Sequence, residues 1–163
     1  MGKVDKNGLK DIKPGYGIGS LKFGLSRKEV EQILGKPNEV EEHDYSESDS
    51  DITETWHYDD LELSLEFDKE VDWRLITFSV SSEFYEFEGN QVIGLSEDKL
   101  ISLLQKLKIE EFEVENLSPI ENPSQKLITV DDLGVNFWFD NEVLMEVQWC
   151  VLFKEDDTID WPE

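Results

Sequence analysis

Apolar residues along the chain change period, from helical to strand spacing, and they do so twice. Val30, Ile33 and Leu34 fall at helical spacing, and so do Leu100, Leu103, Leu104 and Leu107; each set is the stripe that a helix buries. Ser26-Arg27-Lys28-Glu29 matches a capping box, with Ser26 as N-cap and Glu29 reaching back to it. Gly35, followed by Pro37, predicts a stop after Leu34. The second helix is predicted to start at Ser96, where Glu97 and Asp98 suit the positive end of the dipole. Between and after these stretches the period falls to two. Ile52, Trp56 and Tyr58 share one parity, Leu61, Leu63, Leu65 and Phe67 alternate cleanly, and Ile76, Phe78 and Val80 form a third run. The second set lies at 112–114, 126–130, 133–139 and 143–153. Strict alternation predicts antiparallel strands with one buried and one polar face. Asp68-Lys69-Glu70 reads as a hairpin tip, and Pro119 with Pro123 confines residues 117–125 to a loop.

The two sets share anchors. Gly24-Leu25-Ser26 is echoed by Gly94-Leu95-Ser96, Asp59-Asp60-Leu61 by Asp131-Asp132-Leu133, and Phe67-Asp68 by Phe139-Asp140. The offset drifts only from 70 to 72 residues, which one small insertion reconciles. This repeat predicts an α+β protein of two tandem similar units, at 17–80 and 92–153. Each would be a helix (or helix pair) packed on a three- to four-stranded antiparallel sheet. Residues 1–16 read as a flexible N-terminal arm and 154–163 as an acidic tail. The joining segment 81–91 is too aromatic for a free linker, so Phe84 or Phe87 is expected to pack between the units.

Composition sharpens the functional side of the picture. The chain has 163 residues, 38% of them hydrophobic, with 39 acidic against 15 basic residues and a net charge of −24. A field of that sign repels nucleic acid and anionic membrane and attracts basic partners; it equally serves to keep a protein soluble. Cys150 is the single cysteine. An intrachain disulfide and a zinc–cysteine cluster are therefore excluded, and its strand-like surroundings predict a quiet thiol. The first residues carry no apolar signal-like run, and no stretch reaches membrane-spanning length, so a cytoplasmic location is expected.

Catalytic signals are missing. His43 and His57 stand outside any metal-ligand spacing, and the acids around Asp44 lack the central glycine of a calcium loop. Gly15-Tyr16-Gly17-Ile18-Gly19 is glycine-dense, yet no strand precedes it as a phosphate cradle requires. The expectation is a non-enzymatic chain with no cofactor and no metal. Its candidate contact residues are of two kinds. If Leu133, Val135, Phe137 and Phe139 face the core, Trp138 points out of the opposite sheet face, either as an anchor for a protein partner or covered by the tail or the N-terminal arm. Glu62, Ser64 and Glu66 hold the matching outward positions of the first unit. The stretch 39–51 adds seven acids without a lysine or arginine: Glu39, Glu41, Glu42, Asp44, Glu47, Asp49 and Asp51. As an exposed loop or edge strand, it would steer a basic protein by charge.

The run Gly24-Leu25-Ser26-Arg27-Lys28-Glu29-Val30, followed by Ile33-Leu34-Gly35-Lys36-Pro37, resembles the opening of a bacterial helix-plus-sheet repeat. It is similar to the unit of the beta-lactamase inhibitory proteins and of the small outer-membrane assembly lipoproteins. The resemblance covers 17–80 well and 88–153 more loosely, because the second copy lacks the Gly-x-Pro stop. It implies paired units that grip another protein on a concave sheet, and it transfers no contact residue. The secreted members' disulfides and signal peptide and the lipoproteins' acylated cysteine have no counterpart here. The acidity also suggests a bacterial immunity protein, an inhibitor that covers a basic toxin or nuclease domain. The alternative is a small-ligand-binding or assembly module whose acidity only solubilises it.

Overall fold

The computed structural model describes residues 6–44, 52–118 and 122–162. Three short strands come first, β1 (Asp11–Lys13), β2 (Gly17–Ile18) and β3 (Leu21–Lys22). Helix α1 (Arg27–Leu34) follows, held by the complete Ser26–Glu29 capping box and ended at Gly35, whose φ is 83°. Then come β4 (Glu39–Asp44), β5 (Ile52–Tyr58), β6 (Leu63–Asp68) and β7 (Arg74–Val80). Two short strands, β8 (Glu86–Phe87) and β9 (Asn90–Gln91), lead to α2 (Glu97–Lys106), whose N-cap Ser96 accepts from the Lys99 N–H. Strands β10 (Glu113–Ser118), β11 (Asn122–Val130), β12 (Val135–Asp140) and β13 (Val143–Cys150) complete the second set. The hairpin of β14 (Leu152–Phe153) and β15 (Ile159–Asp160) closes the chain.

Eight of these strands form one antiparallel sheet in the order β10-β11-β12-β13-β7-β6-β5-β4. Its middle is the pairing of β13 with β7, through Phe78↔Trp149 and Ser79↔Gln148. A second sheet, β3-β2-β1-β8-β9, includes the parallel pair β1–β8, so the start of the chain runs beside the segment that joins the two stretches.

One hydrophobic core lies against one face of the large sheet, where residues from both helices, the small sheet and the large sheet form a single cluster. Leu63, Leu65 and Phe67 of β6 and Val135, Phe137 and Phe139 of β12 supply its floor. Its centre is aromatic. The Phe23 ring lies 5.0 Å from Phe78, Phe78 stacks on Trp149 at 5.5 Å, and Phe87 meets Phe137 edge-on at 5.6 Å. Trp149 is fully buried, and its indole N–H donates to the Gly17 carbonyl at 3.0 Å, which satisfies the polar atom that burial would otherwise strand. The glycine-dense stretch serves the same close packing. A Cβ on Gly19, at φ 53°, would collide with the Gly8 carbonyl.

This architecture overturns the α+β expectation of two helix-on-sheet units. Strands hold 47% of the described residues and helices 21%, and the sheets have eight and five strands. The physical reason lies at the β7–β13 seam. Each four-stranded run ends on a strand whose outer N–H and C=O groups need partners. The two ends satisfy each other, and two expected sheets become one. Residues 6–16 also depart from the flexible arm, because Leu9 and Ile12 are buried and β1 pairs on both sides. Of the loop expected at 117–125, residues 117–118 and 122–125 lie in strands β10 and β11, with Ser118 opposite Asn122, and residues 119–121 lie outside the described residues.

Candidate functional site

The face of the large sheet turned away from the helices is polar, and strand alternation decides which residues it presents. One register row crosses all eight strands. It reads Glu39, His57, Ser64, Ser79, Gln148, Asn136, Thr129 and Glu113. The next row on one side holds Glu41, Thr55, Glu66, Thr77 and Cys150. On the other side lie Glu115, Leu127, Trp138 and Glu146. These three rows contain six carboxylates and no lysine or arginine.

Hydrogen bonds fix the side chains along the rows. Ser79 donates its hydroxyl to Glu146 Oε2 at 2.8 Å, and the Trp138 indole N–H donates to Gln148 Oε1 at 3.2 Å. The His57 ring lies between two partners, with Nδ1 2.8 Å from Ser64 Oγ and Nε2 2.7 Å from Glu41 Oε1. Two adjoining hollows open on this face. One, of about 240 Å³, is bounded by His57, Glu62, Ser64, Ser79 and Glu146; the other, of about 200 Å³, by Thr55, Ser64, Glu66, Thr77 and Gln148. Near the β10 edge a wider hollow of about 420 Å³ is walled by Glu110, Glu111, Glu113, Asp131 and Asp132. Cys150 is half-buried, and burial, with the nearby Glu66 charge, raises the pKa of its thiol above the ordinary value. The thiolate is thereby disfavoured, which suits a quiet residue.

The expected contact residues are distributed unevenly. Trp138 and Glu66 both lie on the polar face, partly exposed. They stand three strand spacings apart, roughly 14 Å across the sheet, so they act at separate points rather than as one cluster. Glu62 is not on a strand at all. It sits in the turn before β6 with φ 48°, exposed at the rim of the first hollow. The acids of 39–44 are edge strand β4 rather than loop, and this divides them. Glu41 shares the polar face with His57, while Glu42 pairs with Glu54 and belongs to the helix side. Asp44 ends β4, its backbone paired with Ile52. Glu47, Asp49 and Asp51 lie outside the described residues.

The residues that organise the face, namely Ser64, Ser79, Glu146 and Gln148, carry no motif. They meet only through cross-strand register, and the Ser79–Glu146 pair spans 67 positions. Strand parity places Ser64 outward, but the β7–β13 pairing has no local signal. No helix among the described residues is long and apolar enough to cross a membrane. Comparison with protein-family models, curated proteins and solved structures finds no match to the chain.

Proposed function

We propose that the protein is a non-enzymatic acidic binding module whose polar sheet face receives a basic protein, as an inhibitor or immunity protein covers a toxin or nuclease domain. The observation that carries this reading is the composition of the face: six carboxylates in three adjacent rows, no lysine or arginine among them, and Trp138 partly exposed. Acidic rows steer a basic partner and set its orientation, while a partly exposed indole supplies apolar contact that slows release. The two hollows at the centre of the face, of about 240 and 200 Å³, fall below the ~300 Å³ at which ligand pockets begin. A reducing compartment such as the cytoplasm suits the one free thiol.

The test is capture from a lysate of the native host at low and high salt. The wild-type protein should retain a basic protein at low salt and release it as salt rises. A variant carrying Glu66→Lys and Glu146→Lys should fail to retain it. Retention of no basic protein, or equal retention by the variant, would end this reading.

A further inference from the structure

We propose that Glu39, Glu41 and His57 form a binding site for a divalent transition-metal ion, with Zn²⁺ as the fitting example. The site lies at the β4 edge of the polar face. Glu39 and His57 are direct cross-strand partners, and Glu41 is two residues along the same strand, so all three side chains leave the sheet on one side. One donor atom from each residue lies within 4.8 Å of the others. A four-coordinate zinc site needs ligand atoms about 3.4 Å apart, given metal–ligand distances near 2.1 Å. Glu41 already lies 2.7 Å from His57 Nε2, and Glu39 is exposed, which leaves its carboxylate room to rotate the remaining distance.

Ser64 makes the arrangement more than a cluster of acids. Histidine ligands hold a metal through one ring nitrogen while the other donates to an oxygen that fixes the tautomer. Here Nδ1 faces Ser64 Oγ at 2.8 Å, and Nε2 points at the carboxylate oxygens. Without metal, an Nε2 proton bonds to Glu41 at 2.7 Å. With metal, Nδ1–H donates to Ser64 and the Nε2 lone pair takes the ion. One imidazole with two carboxylates suits zinc and its first-row neighbours better than calcium or magnesium, which favour all-oxygen shells. Water would complete the shell.

A chain of this charge attracts any cation loosely, so the measurement must separate coordination from the diffuse field. Untagged protein is titrated with Zn²⁺ by calorimetry in excess Mg²⁺, and its melting temperature is followed in parallel. The expected result is a Zn²⁺ site that Mg²⁺ does not displace, together with a rise in melting temperature. Glu39→Gln and His57→Gln should each weaken binding by at least about tenfold and remove the rise. Glu39 is exposed, so its substitution leaves folding intact and keeps the test decisive. Failure to bind Zn²⁺ in Mg²⁺, or unchanged affinity in both variants, would overturn the proposal. No protein partner is present, so the result stands apart from the fate of the protein-binding reading.

Discussion

The stretch from α1 to β7 and the stretch from α2 to β13 share a frame and differ in what they display. Each Gly-Leu-Ser segment ties its helix start to the last strand of its own run by the same two backbone bonds. The Gly24 N–H donates to Leu75 O and the Leu75 N–H to Leu25 O; Gly94, Leu144 and Leu95 repeat the pattern. Each helix is also tied to the sheet by an ion pair at the same place, with the charges exchanged. Arg27 of α1 meets Glu54 at 3.3 Å, and Glu97 of α2 meets Lys126 at 2.8 Å. On the polar face the likeness stops. His57, Ser64, Thr55 and Glu66 in one stretch stand where Thr129, Asn136, Leu127 and Trp138 stand in the other. Frame positions are held by what they bury or bond, whereas face positions answer only to solvent and partners. The face is therefore where the two stretches are free to specialise: each contributes three of the six row carboxylates, and the Trp138 indole belongs to the second alone.

If the frame is shared, matched cuts in it should cost alike. Phe67 and Phe139 are both buried, one at 0% and the other at 3% exposure. Phe67→Ala and Phe139→Ala should each lower unfolding free energy by about 3–5 kcal/mol. Urea denaturation measures this directly. A loss confined to one substitution would mean that the two stretches do not bear on one core.

The turns before β6 and β12 offer a finer comparison, because one of the two is strained. Glu62 and Gly134 occupy equivalent left-handed positions, at φ 48° and 66°. A non-glycine residue there costs about 1–2 kcal/mol, which glycine avoids. At Gly134 an added Cβ would also sit 3.1 Å from both the Cys150 carbonyl and Leu152 Cδ2. Gly134→Ala should therefore destabilise by at least about 1–2 kcal/mol. Glu62→Gly should stabilise by roughly 0.5–1 kcal/mol, after the extra entropy of an unfolded glycine is subtracted. Matched thermal melts check both signs.

The smallest expected difference lies at the helix starts. Glu29 closes the box on Ser26, whereas the third residue of α2 is Lys99. The Ser26 backbone N–H, and then its hydroxyl, hold the Glu29 carboxyl below its ordinary pKa. A depressed carboxylate pKa contributes stability above the unfolded value, and that contribution is lost as pH falls through the folded value. Glu29→Gln should thus cost a few tenths of a kcal/mol at neutral pH and nothing once the carboxyl is protonated. Lys99→Gln should show no such acid-range change. Denaturation midpoints across the acid range resolve the two.

How much of this was legible in the chain follows the range of the interactions. Ser26, Glu29 and Ser96 act within one turn, so both helix starts can be read directly from local sequence. Alternation in β6 and β12 placed Trp138 and Glu66 outward. The merger of two sheets was hidden, because Val80 and Val147 look like ordinary strand residues and nothing local names their pairing. The parallel β1–β8 pair was hidden for the same reason, and so the buried Leu9 and Ile12 passed for part of a polar arm. The Glu39–Glu41–His57 grouping needs the hairpin register of β4 on β5, which a residue list with no recognised ligand spacing does not reveal.

The claim that the polar face is the functional one is tested most directly by hydroxyl-radical footprinting of the protein alone and with its captured basic partner. Trp138 should be oxidised readily in the free protein and protected in the complex. Phe153, 61% exposed on the terminal hairpin, should be oxidised equally in both states. Protection of Phe153 with Trp138 unchanged would place the partner elsewhere and contradict the account.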